Sequence, residues 1–553
     1  MAKTWKPEPQ LLESLDAGAP EILASQRPDG QFGTDPWICG DQNRLLPLAA
    51  AWGLKGSAYH HSDRVMDAIV RGGYALIDAQ DERGMWTFRK KDHSTWGQIF
   101  MPWTYSRWIR AYHLVREGMP AEARVRWEKG LLLGYEGISR TCLERLHNIP
   151  AHHAMGLYCA GVVFGREAWK AQAQEFLGRI AGAQSPDGWW AEHDGPVVAY
   201  NFVYSDALGV YYSMSGDGVG LAALERAARY HAACTYPDGS AVETVDGRNP
   251  YHAGVHLGNP GFSHTPAGRG YLAQQHALYI RTGKKFDPDY AAHMLLYSGE
   301  GAFEETAGGR ETHVHRMRDY SLIVRRRPWF ISLSAFLTPP PQNRWGQDRQ
   351  NFVSVFHDKV GLVVGGGNTK LQPLWSAFTV GDTSLMRHTP GDENPDFSLR
   401  PGLIHVPEKA EIQAGEERPG LSLTYGQETC RMTAVPKGER ELTLICEATS
   451  RSGMPVEGHV TLIPHLDQPV RLSSGDEARL GEERIERAGG EGGWIEHAGW
   501  RLSLPRGARL IWPALPHNPY RKAGEATIEE ARLVVALPFS ATVARYELTL
   551  LVL

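Results

Sequence analysis

The chain has 553 residues, and 58 Lys and Arg against 63 Asp and Glu give it a formal net charge of −5. A near-neutral chain has no general basic field, which argues against nucleic acid or a membrane surface as its main partner. Its mean hydropathy of −0.37 and its lack of an apolar run of spanning length predict a soluble globular protein. The opening residues, MAKTWKPEPQ, contain no apolar stretch of the signal-peptide type, so we expect a cytoplasmic location.

The composition also favours one class of ligand and disfavours two kinds of site. The six cysteines are scattered without a CxxC spacing, which is typical of reduced thiols rather than of a disulfide framework or a zinc site. The 17 Trp and 21 Tyr supply many flat amphipathic rings, which sugar-binding clefts use against the apolar faces of sugars.

Similar turn motifs recur through the first half of the chain. They read QRPDGQF, QDERGMW, GYEGISR, QSPDGWW and YPDGSAV, with central glycines Gly30, Gly84, Gly137, Gly188 and Gly239. These glycines are 54, 53, 51 and 51 residues apart, and such a period fits a two-helix hairpin with its loops. The sequence therefore predicts five or six helical hairpins over residues 1–310 that close as an α/α toroid, with an open solenoid as the alternative.

The pattern changes near residue 320 from helical to alternating. Alternation is clear at Phe330–Phe336, His459–Ile463 and Arg545–Leu550, and we expect Gly365–Gly367 to form a hairpin turn. Residues 311–553 are therefore predicted to form one or more antiparallel β-sandwich domains. The predicted fold class is α+β and multidomain, with the toroid first.

Three clusters of polar residues lie in the middle repeats. They are Leu146–His153, Asp187–His193 followed by Tyr200 and Tyr204, and Glu243–Arg248 followed by Tyr251 and His252. Because the clusters begin about one repeat apart, a toroid would bring them to the same rim.

Asn, His, Tyr and Arg together suit β-elimination at a uronic acid. An amide such as Asn148 and a cation such as Arg248 can bind the carboxylate and stabilise the enolate-like intermediate. A Tyr or His can remove the C5 proton, and a Tyr can protonate the departing glycosidic oxygen. This chemistry requires no metal and no organic cofactor.

The second cluster resembles a known signature. Asp187–His193, followed by two tyrosines four residues apart, is similar to the DGS(F/Y)xxH…Y…Y pattern of the hyaluronate, chondroitin AC and xanthan lyases, polysaccharide lyase family 8. The resemblance implies that His193 and Tyr204 are catalytic. Tyr200 could hold the place assigned to Tyr204.

Two further segments resemble the same family. Val245–Arg248 is similar to its (V/M)RGR-type segment, which implies a catalytic role for Arg248, and Asn148 lies where the family keeps its carboxylate-neutralising asparagine. Arg318–Ser334 resembles the strand that opens the family's β domain, and the family's fold is a toroid followed by antiparallel sheets. The heparinase II/III and alginate lyases are more distantly similar. In those enzymes a histidine from the head of the β domain can join the site, with His313 and His315 as candidates here.

Other polar and aromatic residues near these clusters are candidates for substrate binding. They are Trp189, Trp190, Glu192, His152, His153, Tyr251, His252 and Arg269. Core packing is an equal alternative for the two tryptophans, and His152 and His153 are rivals of Asn148. The expected partner is an acidic oligosaccharide or polysaccharide, and the sequence leaves the oligomeric state open.

The main rival function is an α/α-barrel glycoside hydrolase of the glucuronidase kind, which needs two carboxylates. The acids available for it are Glu192, Asp194, Asp206, Glu243 and Asp246. A terpene-cyclase-like barrel lacks its DxDD acid motif, and a non-catalytic sugar-binding protein would not need the Asn, His, Tyr and Arg set. Zinc at His252, His256 and His264 is disfavoured because Gly254, Gly258 and Pro260 interrupt a helix there.

Overall fold

The computed structural model describes residues 3–306, 310–386, 392–413, 415, 417–521 and 523–553. The chain divides into two compact units. The first comprises Met1–Ala191, Val198–Ala232 and Leu257–Thr306, and the second comprises Glu192–Val197, Ala233–His256 and Ala307–Leu553. The division therefore differs from a single boundary at residue 310, because two segments from the first half of the chain group with the second unit. Residues 307–309, next to the predicted boundary, lie outside the described residues.

Helices form most of the first unit. In chain order they are α1 Pro9–Ala24, α2 Leu45–Gly53, α3 Asp63–Ala79, α4 Pro102–Val115, α5 Ala121–Thr141, α6 Asn148–Phe164, α7 Glu167–Gly182, α8 Val198–Ser215, α9 Leu221–Ala233, α10 Pro266–Arg281 and α11 Pro288–Tyr297. Proline stands in the first turn of α1, α4, α10 and α11, where its missing N–H costs no helical hydrogen bond. Gly165 ends α6 in the left-handed conformation.

Alternate helices of this unit contact one another in succession. Helix α2 packs on α4, α4 on α6 and α6 on α8, while α11 contacts both α8 and α2. Helices α3, α5 and α7 pack against members of this set. A core of buried aromatic and aliphatic residues, which includes Trp108, Trp127 and Tyr135, fills the space between the helices.

The predicted glycine turns are present at four of the five positions. Gly30, Gly84, Gly188 and Gly239 have φ between 85° and 91°, the left-handed region that favours glycine. At each turn the glycine N–H donates to the carbonyl three residues earlier, as Gly188 does to Ser185. The first, second and fourth of the predicted turns lie in the first unit, and Gly239 lies in the second.

Two types of side chain, glutamine and tryptophan, attach these turns to helices. The Nε2 groups of Gln26, Gln80 and Gln184 donate to the carbonyls of Ala68, Gly130 and Ala223, respectively. The indoles of Trp86 and Trp190 donate to the carbonyls of Leu76 and Ile180. The repeated Gln and Trp of the motif therefore stabilise the fold.

The prediction of a turn at Gly137 was wrong. Gly137 lies inside α5, and a Cβ there would meet the ring of Phe100 at 2.3 Å. Close packing, rather than a turn, therefore requires glycine at this position. The chain leaves α5 at Cys142 instead.

Short strands accompany the helices, and long ones form most of the second unit. They are β1 Thr4–Trp5, β2 Trp86–Arg89, β3 Thr95–Ile99, β4 Ala191–Glu192, β5 Gly195–Pro196, β6 Gly301–Ala302, β7 Thr312–Met317, β8 Ser321–Arg326, β9 Trp329–Ser334, β10 Val353–His357, β11 Gly361–Val364, β12 Phe378–Gly381, β13 Leu403–Ile404, β14 Lys409–Gln413, β15 Gly420–Tyr425, β16 Glu428–Pro436, β17 Glu441–Ala448, β18 Val456–Leu462, β19 Pro469–Leu472, β20 Glu477–Arg479, β21 Ile485–Ala488, β22 Trp494–His497, β23 Trp500–Ser503, β24 Arg509–Ala514, β25 Arg532–Phe539 and β26 Arg545–Val552. The three predicted strands fall in β9, β18 and β26.

Two large antiparallel sheets organise the second unit. One runs β21-β24-β25-β18-β11-β10-β9-β8-β7, with β12 paired to β18 and β13 paired to β12. The other runs β14-β15-β16-β17-β26-β23-β22-β19-β20. In the second sheet Leu442 pairs with Leu550 and Leu444 with Leu548, so alternate residues enter the core. Buried residues of both sheets form one hydrophobic core.

The prediction of a hairpin at Gly365–Gly367 was also wrong. Strand β11 ends at Val364 and pairs with β10 and β18, while the next strand, β12, pairs with β18. All three glycines have positive φ, and a Cβ on Gly365 would meet the Glu243 carboxylate at 2.5 Å. The glycines therefore allow close approach of a carboxylate.

Among the described residues, no helix combines the length and the apolar composition needed to cross a membrane.

We expect Gly188→Ala to destabilise the protein by about 2 kcal/mol or more, since the new Cβ combines a positive φ with a backbone clash. That Cβ would lie 2.2 Å from the carbonyl oxygen of Arg226. The control is Gly182→Ala in α7, where nothing lies within 4 Å of the new Cβ. Urea unfolding of the two variants tests the turn, and equal midpoints would contradict this account.

Candidate active site

Glu243 anchors the segment that carries the predicted arginine to the second unit. Its Oε1 accepts hydrogen bonds from the Gly366 N–H at 3.0 Å and the Ser354 hydroxyl at 3.1 Å, and its Oε2 accepts one from Tyr236 at 2.9 Å. Burial raises the pKa of Glu243 above its ordinary value. Because this buried carboxyl is held by three hydrogen-bond donors, it fixes the position of the chain segment that leads to Arg248.

The backbone of Arg248 is fixed by Asp246. The Oδ1 of Asp246 accepts the N–H groups of Arg248 at 2.8 Å and Asn249 at 2.7 Å. This Asx turn aims the Arg248 side chain, which is only 8% exposed. Its Nη1 lies 3.8 Å from Glu192 Oε1. The guanidinium carbon lies 4.9 Å from the Trp345 ring and 5.3 Å from the Tyr520 ring.

The tight hairpin β4–β5, which carries His193, is attached to the turn that carries this arginine. The Pro196 carbonyl accepts the Gly247 N–H at 2.9 Å, which attaches the hairpin to the turn before Arg248. His193 is exposed at the hairpin turn with φ of 58°. Glu192, the preceding residue, faces Arg248. Within the second unit the structure therefore brings the hairpin that carries Glu192 and His193 to the turn that carries Arg248.

The other predicted residues of the second unit differ in exposure. Tyr251 is half-buried, and its N–H donates to the Gly366 carbonyl at 3.1 Å. His252 is exposed and lines a cavity of about 90 Å³ with Arg248. His313 and His315 are half-buried neighbours on β7, with ring centroids 6.1 Å apart. Burial lowers the pKa of His313.

The first unit holds Asn148 at the start of α6. The side chain is 3% exposed, and His152 and His153 follow one turn later, also 3% exposed. Burial lowers the pKa of both histidines to about 3, so both are neutral at ordinary pH. Neither histidine is therefore suited to act as a general acid, because neither stays in its protonated, charged form.

His152 belongs to a buried charge network in the first unit. Its Nε2 lies 3.4 Å from Asp206, and the other carboxylate oxygen of Asp206 lies 3.7 Å from His293 Nδ1. His293 Nε2 in turn lies 3.3 Å from Arg110. Although burial alone would raise it, His293, His152 and Arg110 hold the pKa of Asp206 well below its ordinary value.

A bidentate ion pair completes the network. The Arg107 guanidinium donates to the two oxygens of Asp289 at 2.8 Å and 2.5 Å. This pairing outweighs the effect of burial and holds the pKa of Asp289 below its ordinary value. The two arginines and two aspartates thus offset one another's charges inside the first unit, and the two histidines of the network are neutral.

Tyr204 lies in the core of the first unit. It is 1% exposed and stacks on Trp190 with centroids 5.0 Å apart and planes 13° apart. The earlier repeat contains the same pair, since Tyr105 lies 4.5 Å from Trp86. Both tryptophans donate to a helix carbonyl, so Tyr204 and Trp190 occupy positions that serve packing in another repeat. Comparing the repeats within the sequence could have revealed this equivalence.

Tyr200 and Trp189 are more accessible than the stacked pair. Tyr200 is half-buried in the first turn of α8, and Trp189 is half-buried before β4. Arg269, in α10, donates from Nε to the Ala302 carbonyl and from Nη1 to the Ser263 carbonyl, both at 2.8 Å. Arg269 therefore has a structural task in the first unit.

The acids proposed for a hydrolase have other partners. Asp206 and Glu243 are buried in the networks above, and Asp246 accepts two backbone N–H groups of its own turn. Glu192 faces Arg248, and Asp194 is exposed at the hairpin turn. Asp206, Glu243 and Asp246 therefore have structural roles, whereas hydrolysis requires two carboxylates open to the substrate.

The structure also reveals an aromatic platform that the sequence analysis missed. In the β2–β3 hairpin, Trp96 is 58% exposed and stacks on Phe88 at 4.8 Å. The Lys90 ammonium lies 4.6 Å from the Trp96 ring. An exposed ring beside a cation suits an acidic sugar, and the aromatic residues flanking the Lys90–Ser94 turn were the available signal.

Over the part of the chain that the structure describes, no group of three or more His, Cys, Asp or Glu residues could hold a metal ion.

Comparison with known proteins concerns the fold. No family model matches the sequence, and no curated protein matches it. A chondroitin AC lyase from Streptomyces coelicolor A3, solved with chondroitin sulphate, matches with a TM-score of 0.54 at 13% identity, over 99% of this chain and 80% of that chain. The chain has the fold of polysaccharide lyases. The resemblance expected from the sequence is thus confirmed at the level of fold.

Two other solved structures agree. A xanthan lyase from Paenibacillus matches with a TM-score of 0.56 at 13% identity, over 99% of this chain and 57% of that chain. A heparinase III matches with a TM-score of 0.51 at 11% identity, over 99% of this chain and 84% of that chain. Enzymes named for different polysaccharides thus share this fold, so the fold does not identify the substrate, and only the side chains of the site can indicate it.

The two buried histidines predict a pH dependence of stability. Their pKa in the folded protein is about 3, below the unfolded value of 6.5, so the unfolded chain binds protons first as pH falls. Each should lower the free energy of unfolding by about 1.4 kcal/mol between pH 7.5 and 5.5. Urea unfolding at both values measures the loss.

The variant His153→Asn removes one of these groups, so its stability should fall less between the two pH values. The matched control is His93→Asn, because His93 is exposed at the β2–β3 turn. An unchanged pH dependence in His153→Asn would contradict the assignment.

Proposed function

We propose that the protein is a polysaccharide lyase that cleaves uronic-acid-containing glycans by β-elimination and leaves a 4,5-unsaturated uronate. The observation that carries the proposal is the placement of Arg248 next to the hairpin of His193 in the second unit. A fixed cation and an accessible base are the two groups that this reaction needs first. The fold shared with polysaccharide lyases supports the same conclusion.

Arg248 would bind the carboxylate of the uronic acid. Loss of the C5 proton places a second negative charge beside that carboxylate, and a fixed guanidinium stabilises this charge as it develops. Its planar N–H groups can bind both carboxylate oxygens. Because the Asp246 turn and the rings of Trp345 and Tyr520 already hold the side chain, little reorganisation accompanies binding.

His193 would accept the C5 proton. The C5–H electron pair then forms the C4–C5 double bond, the C4–O bond breaks, and the departing glycosidic oxygen takes up a proton. An exposed imidazole is accessible to a substrate, and its two ring nitrogens allow it to accept one proton and pass on another. Water is not consumed in these steps.

Tyr200 is our choice for the tyrosine that protonates the leaving oxygen. It is half-buried, whereas Tyr204 is 1% exposed and stacked on Trp190. For Asn148 we keep the role predicted from the sequence, in which its side-chain amide binds the carboxylate of the uronic acid. Both roles are predictions that substitution can test.

The proposal extends to the helices and to substrate binding. The succession of contacts from α2 through α4, α6 and α8 to α11 and back to α2 supports closure of the first unit as an α/α toroid. Trp96, with Lys90 beside it, would supply an apolar face and a positive charge to an acidic sugar.

We expect Arg248→Ala to lower kcat by about 10²–10³, because it removes the charge that stabilises the intermediate. The rate is the rise in ultraviolet absorbance from the conjugated double bond, with oligosaccharides of hyaluronan, chondroitin, heparan, alginate and xanthan as substrates. The control is Arg501→Ala, since Arg501 packs over Trp494 on β22 and β23. Full activity of Arg248→Ala would overturn the assignment.

The two tyrosines can be separated in the same assay. We expect Tyr200→Phe to lower kcat by about 10²–10⁴ through loss of the acid, with the unfolding midpoint unchanged. Tyr204→Phe should keep kcat within about tenfold, because it retains the ring stacked on Trp190. The reverse result would restore Tyr204 as the reacting residue.

A further inference from the structure

The surroundings of Arg248 include two aromatic rings from distant parts of the second unit. The guanidinium carbon lies 4.9 Å from the Trp345 ring and 5.3 Å from the Tyr520 ring, and the two ring centroids are 6.0 Å apart with planes 58° apart. These distances place the rings at a corner rather than on opposite faces. The guanidinium occupies that corner, which we call the aromatic corner.

Each ring of the aromatic corner is fixed by its own backbone turn. Asn343 Oδ1 accepts the N–H groups of Trp345 at 2.9 Å and Gly346 at 3.0 Å. Asn518 Oδ1 accepts the Tyr520 N–H at 2.9 Å. The same Asx turn therefore presents both rings, in segments that are far apart in the sequence.

Further hydrogen bonds join these segments to each other and to the arginine turn. The Arg344 guanidinium donates to the Arg521 carbonyl, which links the two ring-bearing segments. The Tyr520 hydroxyl donates to Asn249 Oδ1 at 3.0 Å, next to Arg248 in the chain. The corner and the arginine turn therefore form one connected assembly.

We propose that Trp345 and Tyr520 are positioning residues that hold the Arg248 guanidinium for a uronate carboxylate. The inference rests on the proposed lyase function and names the parts of the chain that set its carboxylate subsite. Aromatic faces attract a guanidinium without using its N–H groups, and it is through those groups that a planar guanidinium binds a carboxylate. Tyr520 is 49% exposed, which places the corner beside solvent.

The adjacent cavity fits this role. It has a volume of about 90 Å³, and Arg248, His252, Gln347 and Tyr520 are among its lining residues. The Glu530 carboxylate also lines the cavity, and it accepts hydrogen bonds from Asn518 and Thr527. This space holds a few water molecules or a carboxylate group, and the Arg248 guanidinium in its wall favours an anion. A uronate would thus present its carboxylate edge here.

The test is a double-mutant cycle measured as elimination rate. Tyr520→Ala should lower kcat/KM about tenfold, whereas Tyr520→Phe, which keeps the ring, should restore most of the activity. In an Arg248→Lys background, Tyr520→Ala should cause little further loss, because Lys lacks the planar group that the corner holds. A purely structural role of Tyr520 would give the same loss in both backgrounds.

The control variant is Trp494→Ala, which removes another arginine–aromatic contact of the second unit, 4.3 Å from Arg501, and should leave kcat/KM unchanged. Equal losses from Tyr520→Ala with and without Arg248→Lys, or full activity of Tyr520→Ala, would overturn the inference and leave the lyase function standing. Absence of the unsaturated product with the unmodified protein would overturn the function itself and this inference with it.

Discussion

Pinned turns are the constraint on which the helical unit depends. A left-handed glycine reverses the chain, a glutamine binds the carbonyl of one neighbouring helix, and a tryptophan indole binds the carbonyl of another. At Gly188 no other residue fits, because a Cβ would collide with the Arg226 carbonyl oxygen. These bonds set where α8 begins, and thereby where Tyr200 stands and why Tyr204 is enclosed.

The second unit depends on a different constraint, the buried carboxyl of Glu243. Three hydrogen-bond donors around this carboxyl hold the segment before Arg248. Because Gly365–Gly367 have no Cβ, their backbone can lie close to the Glu243 side chain. From this anchor the Asp246 turn aims Arg248 into its aromatic neighbours. Glu243 and Asp246, two of the acids that suggested hydrolysis, therefore serve to place a cation, and a fixed cation is what the proposed elimination at a uronate requires.

Local rules explain what the sequence could predict. Glycine turns with a regular period, amphipathic helices and alternating strands each follow from the sterics and burial of neighbouring residues, so helices first and sheets second were predictable. The turn predicted at Gly137 was wrong because the sequence does not distinguish a turn glycine from a glycine that is required by a packed ring, here that of Phe100. The contacts of Trp345 and Tyr520 with Arg248 could not be predicted, because they join residues that are far apart in the chain. The packing role of Tyr204 was predictable, since an earlier repeat brings the same residue types, Trp86 and Tyr105, into ring contact.

The central claim is that bond cleavage proceeds by elimination, which consumes no water. The most direct measurement is mass spectrometry of the products formed from uronate oligosaccharides in water enriched in oxygen-18. The account predicts that the product masses sum to that of the substrate, that one product carries the unsaturated uronate, and that neither gains the heavy isotope during cleavage. Products that have gained one water, with oxygen-18 incorporated at the cleaved bond, would contradict it and establish hydrolysis.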